Sequence, residues 1–250
     1  MLKLKHFLTL CTLWIVVSQA KAYDFQYNGL YYKITTPYGS ATKTCEVTYG
    51  PSGPNTSDYT MTSVVVPEGV AYSGSRYIVT AIGEKAFYNC LSLQSVQLNE
   101  SVKTIGKNAF ANDDNITSFS MPGVETLESQ SLGWLKSLKK LDIPACTKEI
   151  HNQALVDLKS LESITVNPSN PYFTSDNGIL FNKDKTKIIH FPESRTGEYR
   201  VPDGVQEIEA LCFFWSDLSK ITVANTVKKI GARAFGSCRY LESIDLGNGV

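Results

Sequence analysis

Ile82-Gly83-Glu84-Lys85-Ala86-Phe87-Tyr88-Asn89-Cys90-Leu91-Ser92-Leu93-Gln94-Ser95-Val96-Gln97-Leu98 decides the fold, because the chain writes it again and again. Worn copies start at Ile105, Leu127, Ile150, Ile208 and Ile230. The last apolar position of the pattern serves as a ruler: Val66, Leu98, Met121, Ile143, Val166, Val201, Val223 and Leu246. Its intervals are 32, 23, 22, 23, 35, 22 and 23 residues, so a period of 22 to 23 is interrupted twice and resumes each time. Such a period is the signature of a stacked-repeat array, in which no unit can bury its own apolar side and each covers its neighbour.

Two periodicities alternate inside each copy. Val96-Gln97-Leu98 and Ile244-Asp245-Leu246 alternate apolar and polar residues, as a strand with one buried face does. Ala86-Phe87, Cys90 and Leu93 are spaced by three and four, which predicts a short helical turn. The expected fold is therefore α/β: a solenoid with a parallel strand ladder on one side and short helical turns on the other. Glycine after the opening Ile is read as a position whose backbone angles a side chain would resist. Proline ends the strands at Val66-Pro67, Met121-Pro122, Ile143-Pro144 and Val201-Pro202, since it cannot donate to a ladder.

Residues 1–22 read as a signal peptide rather than as structure. Lys3 and Lys5 precede an uncharged, mainly apolar stretch from Phe7 to Val17, and Ala20-Lys21-Ala22 supplies a small-x-small cleavage pattern before Tyr23. The apolar run is too short for a bilayer, which takes about 20 residues, and no other segment is long and apolar enough for a transmembrane span. The expectation is a secreted or cell-surface protein. Lys and Arg together number 24 and Asp and Glu 24, so no global field recruits nucleic acid or an anionic membrane.

Five cysteines follow the leader, at wide spacings without a CxxC pair. Cys90 and Cys238 share one repeat position, Cys212 stands where Ala86, Ala109 and Ala234 stand, and Cys146 is read in the place of Val102 and Val124. All four are expected to be small core fillers rather than redox groups. Cys45 lies outside the array, with no role assigned.

The motif from Ile82 to Cys90, with Leu93, Val96 and Leu98, resembles the BspA-like family of bacterial leucine-rich-repeat proteins. So does the insert Asn170-Pro171-Tyr172-Phe173-Thr174-Ser175-Asp176-Asn177-Gly178-Ile179-Leu180-Phe181, with Lys187 to Pro192 and Tyr199 to Val205. The pattern runs from about residue 60 to 250 and lacks the Asn ladder of LxxLxLxxN repeats. The resemblance implies a leucine-rich-repeat solenoid and an exported or surface-attached protein. Some members resemble adhesins, which implies protein or glycan ligands, host matrix proteins among them.

Outside the repeats, residues 23–65 carry a hairpin around Asn28-Gly29 and a strand at Cys45–Tyr49, placed as an N-terminal β cap on the 66–250 solenoid. The insert at 168–200 is expected to hold one hairpin, Ile179–Phe181 against Lys187–Phe191. At Val250 the pattern stops where earlier copies continue, so the array is expected to extend further.

A search for chemistry finds no HExxH, Gly-x-Ser-x-Gly, P-loop or GxGxxG motif, and the chain is read as no enzyme, with no catalytic, cofactor or metal site. His151 and His190 lack a partner motif, and Asp113-Asp114 and Asp176-Asn177-Gly178 lack the oxygen count of a calcium loop. Binding is where the architecture leads. With Val96 and Leu98 inward, Ser95 and Gln97 face out, and their counterparts are Ser118/Ser120, Lys140/Asp142, Ser163/Thr165, Lys220/Thr222 and Ser243/Asp245. That strip is the candidate binding face. The competing expectation is a structural spacer that presents a module beyond Val250.

Overall fold

The computed structural model describes residues 22–250, so the leader reading falls outside it except for Ala22. The chain is a β-solenoid of about seven turns. Each repeat contributes two short strands joined by a bend, and each set stacks in parallel on its neighbours. The first ladder holds the alternating strands, beginning Ser63–Val65, Ser95–Gln97, Ser118–Ser120, with Ser63 opposite Ser95 and Ser95 opposite Ser118. It goes on through Lys140–Ile143 beside Ser163–Val166, and Thr196–Arg200 beside Asp217–Thr222 and Ser243–Asp245. A second ladder, of mostly two-residue strands, runs from Ser75–Ile82 through Thr104–Ile105 and Thr126–Leu127 to Glu149–Ile150. It resumes with Lys187–His190, Glu207–Ile208 and Lys229–Ile230.

The inward side of the first ladder is the core. Val96, Leu98, Phe119, Met121, Leu141, Ile143, Ile164, Val166, Ile221 and Val223 are buried. Phe87 stacks between Tyr59 and Phe110 at 4.7 and 4.9 Å, and Phe213 between Phe191 and Phe235 at 4.9 and 5.4 Å. These columns place one large ring per repeat over the next, so each turn buries the apolar face of its neighbour.

The third side corrects the α/β expectation: among the described residues there is no helix. Each Ala-Phe segment carries two left-handed residues four apart, Lys85 and Asn89 (φ 56° and 61°), then Asn108 and Asn112, Gln130 and Trp134, Gln153 and Asp157, Leu211 and Trp215, Arg233 and Ser237. A right-handed helix needs negative φ throughout, so the segment becomes a chain of tight turns. The N–H groups of Ala86, Tyr88 and Cys90 donate three residues back, to Gly83, Lys85 and Phe87. Those of Lys85, Phe87 and Asn89 donate to Lys107, Ala109 and Ala111 of the next repeat, at 3.0, 2.8 and 3.1 Å. The spacing of apolar residues is the same in a helix and in this turn chain, which is why periodicity did not separate them.

Glycine's role is also different from the one expected. Gly83, Gly106 and Gly231 do not have positive φ. A Cβ on Gly106 would stand 2.8 Å from the Glu84 nitrogen and 2.9 Å from the Gly83 carbon, so glycine permits close stacking of repeats rather than an unusual dihedral.

The N-terminal hairpin pairs Phe25–Tyr27 with Leu30–Ile34, which pairs antiparallel with Thr44–Thr48. Thr44–Thr48 then runs parallel to Ser75–Ile82 at the start of the second ladder, and Gly69–Tyr72 folds back on the latter. The buried Cys45 lies in this strand, and burial pushes its thiol up to about 12. Cys90 and Cys212 are buried and Cys238 is half-buried. Cys146 is not the filler expected: Thr147, fully buried, takes the place of Val102 and Val124 and donates to the Val124 carbonyl at 2.7 Å, while Cys146 is half-exposed.

The insert is larger than one hairpin. Phe173–Asp176, Ile179–Asn182 and Lys187–His190 form an antiparallel meander whose last strand re-enters the second ladder. Thr196–Arg200 then supplies a full rung of the first ladder.

Stacking is open at two joints. No backbone hydrogen bond links residues 117–122 to 139–144, and the strands there belong to separate sheets. Phe119 occupies a rung position that Val96, Leu141 and Ile164 fill elsewhere, and its ring packs edge-on to Phe110 at 5.0 Å; the larger ring holds the strands apart. Nor does any backbone hydrogen bond link residues 150–157 to 187–192, on either the second ladder or the turn side. The core divides into two clusters, most of its second part lying beyond this joint.

Candidate binding face

The first ladder presents its outward side chains to solvent in register. Gln97, Ser118, Ser120, Lys140, Asp142, Thr165, Lys220, Ser243 and Asp245 are exposed, and Ser95, Ser163 and Thr222 half-buried. Pairing places Ser95 opposite Ser118 and Gln97 opposite Ser120; Lys140 opposite Ser163 and Asp142 opposite Thr165; Lys220 opposite Ser243 and Thr222 opposite Asp245.

The strip is not one continuous row. The open joint at Phe119 separates the first four residues from the next four. The insert separates those from the last four: the Asn177-Gly178 turn abuts Ser163, and the Ile164 N–H donates to the Gly178 carbonyl at 2.9 Å. Four residues of the same face were missed. Ser63 and Val65 form its first rung, Val65 being 66% exposed, and Glu198 and Arg200 face out from the rung the insert supplies. The signal for the latter was present, since Val201 is on the ruler and the residues before it had to form the strand. Lys220 meets Glu198 at 3.4 Å, an exposed pair of small energetic weight.

At the Phe119 joint the face sinks into a groove of about 430 Å³, lined by residues 119–122, 142–144 and 165–168. Its floor is apolar, from Phe119, Met121, Ile143 and Val166. Pro122, Pro144 and Pro168 form one side, and Ser120, Asp142 and Thr165 supply polar groups. An apolar concavity of this size with a few polar groups is the usual form of a recognition site. The prolines that end the strands thus also build its wall.

The second open joint brings together two histidines that the sequence kept apart. His151 and His190 both line a crevice between residues 150–156, 189–190 and 209–211. His190 is buried, 3.4 Å from the buried Glu193, whose other oxygen accepts the Leu158 N–H. His151 lies at the surface, 3.0 Å from Glu149. Among the described residues neither histidine is hydrogen-bonded to a hydroxyl or thiol, and no group of three or more His, Cys, Asp or Glu is arranged to hold a metal. No described helix is long and apolar enough to cross a membrane. Asp113 lies fully buried, accepting the Cys90 N–H at 2.6 Å, and burial raises its carboxyl well above the usual range.

Comparison with known proteins places this geometry. The sequence profile of the BspA type leucine rich repeat region matches residues 80–201 and 190–250, with six copies. Among solved structures, the pneumococcal vaccine antigen PcpA is similar with a TM-score of 0.64 and 20% identity, over 92% of this chain and 72% of that one. A leucine-rich repeat protein from Eubacterium ventriosum is similar with a TM-score of 0.55 and 20% identity, over 81% of this chain and 67% of its own. At such identities the likeness is one of fold. No curated protein matches by sequence.

Proposed function

This chain belongs to the BspA-type leucine-rich-repeat family, and from that premise we propose that it is an exported, non-enzymatic binding protein whose first-ladder face engages host or microbial macromolecules. Leucine-rich repeats bind proteins in general, and the neighbours with this fold include a bacterial antigen. The observation that carries the reading is the groove at Phe119, where three residues of the exposed strip, Ser120, Asp142 and Thr165, border an apolar floor. Such a site offers desolvated contact area in the centre and a polar rim around it, the anatomy of a protein-protein interface. The leader at residues 1–22 would direct the chain to the cell surface or beyond it, and residues 23–65 would close the first turn of the array as a cap.

The test is binding of the purified chain to immobilised matrix proteins and glycans, alongside a sample with charge reversals at Lys140, Asp142 and Lys220. Saturable binding that the reversals abolish is the expected outcome. Binding that survives them removes the face from the mechanism, and a folded sample that binds nothing on the panel refutes the proposed ligand class.

A further inference from the structure

At Phe119 the first ladder is open in its main chain as well as in its side chains. At the closed rung before it, the Leu98 N–H donates to the Ser120 carbonyl at 2.9 Å, and the Thr117 and Ser118 N–H groups share the Gln94 carbonyl. One rung on, Met121, Lys139 and Lys140 hold these positions. Among the described residues their N–H groups find no acceptor across the joint, and the Thr117 carbonyl, in the position of Gln94, receives no donor from it. Both lips of the gap are therefore strand edges inside the array. A strand edge with unmet groups is a template for another extended chain. Met121 lies in the groove itself.

The groove's lining carries one charged group, Asp142. It is exposed on the rim and enters no ion pair among the described residues, whereas the nearby Lys139 is held by Glu162 at 3.4 Å. Lys140, on the same outward face, lies outside the groove. The floor of Phe119, Met121, Ile143 and Val166 is apolar but offers no open ring, since Phe119 is only 8% exposed. A sugar finds no aromatic plane to cover its CH face there. An aliphatic side chain finds four apolar neighbours.

We propose that the groove takes an extended peptide segment of a partner protein, one that carries an aliphatic side chain close to a lysine or arginine. This rests on the reading of the first-ladder face as a binding surface and names the ligand class of its groove. A carbonyl of the peptide accepts the Met121 N–H, the aliphatic side chain fills the floor, and the cation meets Asp142. The Ser120 and Thr165 hydroxyls can donate or accept at the rim. Main-chain hydrogen bonds at a strand edge supply affinity with little demand on sequence, and the seats for side chains supply selectivity.

Fluorescence anisotropy with the purified chain tests this on blocked hexapeptides of alternating threonine and valine, with lysine at each position in turn and a parallel set carrying glutamate. At least one lysine peptide should bind saturably, about fivefold more tightly than its glutamate counterpart, the scale of one exposed ion pair. Asp142→Lys, a change to an exposed side chain, should reverse that preference, and bound peptide should slow amide exchange at Met121. No binding by any peptide, a preference unchanged in Asp142→Lys, or Met121 exchange unaffected by saturating peptide overturns the proposal. So does a Met121 amide that becomes protected as the protein alone is concentrated, which would seat a second copy in the groove. Matrix or glycan binding that the charge reversals still abolish, with no peptide bound, removes the peptide and leaves the face standing; loss of both refutes the face itself.

Discussion

Asp113→Leu should stabilise the protein at neutral pH and do so less in acid. Asp113 is 0% exposed; one carboxylate oxygen accepts the Cys90 N–H and the other has no partner. The Cys90 N–H also donates to the Phe87 carbonyl at 2.9 Å, so losing the carboxylate does not orphan it. Leu135 and Leu158 already fill the corresponding seat one and two repeats on, both fully buried, so the seat accepts leucine. A buried acceptor left unsatisfied costs about 1–3 kcal/mol, and more when charged, whereas a fully buried leucine gains about 1.5–3 kcal/mol. Repacking around the larger side chain offsets part of this, at about 1–3 kcal/mol, so the expected net gain at pH near 8 is about 2 kcal/mol. Burial is the main cause that raises the Asp113 carboxyl well above its ordinary 3.8, with Asp114 adding to it and the Cys90 N–H opposing. Between 3.8 and that raised value the native state holds a proton that the unfolded chain has lost. Wild-type stability therefore falls as pH rises through that window, and the variant lacks this slope. Urea unfolding of both proteins at several pH values from about 4 upward measures the difference. A gain that is constant across the range, or a variant less stable than wild type near pH 8, would refute the account of Asp113 as a desolvated, half-partnered acid.

Phe87→Ala should cost about 3–5 kcal/mol, because the ring is fully buried between Tyr59 and Phe110, while Gln97→Lys on the outward face should leave the thermal midpoint unchanged; a fall for Gln97→Lys comparable to that for Phe87→Ala would reverse the assigned faces. Leu211 holds a left-handed backbone (φ 61°) at the position where Asn108 stands in an earlier repeat, so Leu211→Asn should gain about 1 kcal/mol in chemical unfolding, and a loss would show that its packing outweighs the strain. Gly106→Ala should be destabilising by about 1–3 kcal/mol, since its Cβ would press on the backbone of residues 82–84; a neutral melt would mean that the repeats can move apart there. Amide exchange should be faster at Gln153, Leu155 and Asp157 than at Phe87 and Phe110, whose N–H groups are held by the next repeat; equal protection would mean that the joint is closed in solution.

What the sequence made legible is what a repeat imposes on every copy. The ruler from Val66 to Val223 gave inward residues of the first ladder, and the alternation around them gave the outward strip, because a strand has only two faces and burial chooses between them. The handedness of the turn side was not legible. Lys85, Asn89, Gln130 and Arg233 have no common chemistry that announces a positive φ, and the apolar spacing fits a helix equally well. The turn chain prevails because it spends alternate N–H groups on the neighbouring repeat, a gain that exists only once the repeats are stacked.

The same reasoning explains why surface relief concentrates at the irregularities. A regular solenoid satisfies every backbone group and leaves a shallow, uniform surface. Relief arises where one copy departs from the others: Phe119 in a row of aliphatic residues opens the groove, and the insert breaks the second ladder at Ile150. A consensus drawn from the six copies averages these departures away. The period identifies the scaffold, and a residue that violates it, Phe119 above all, marks where the proposed binding groove opens.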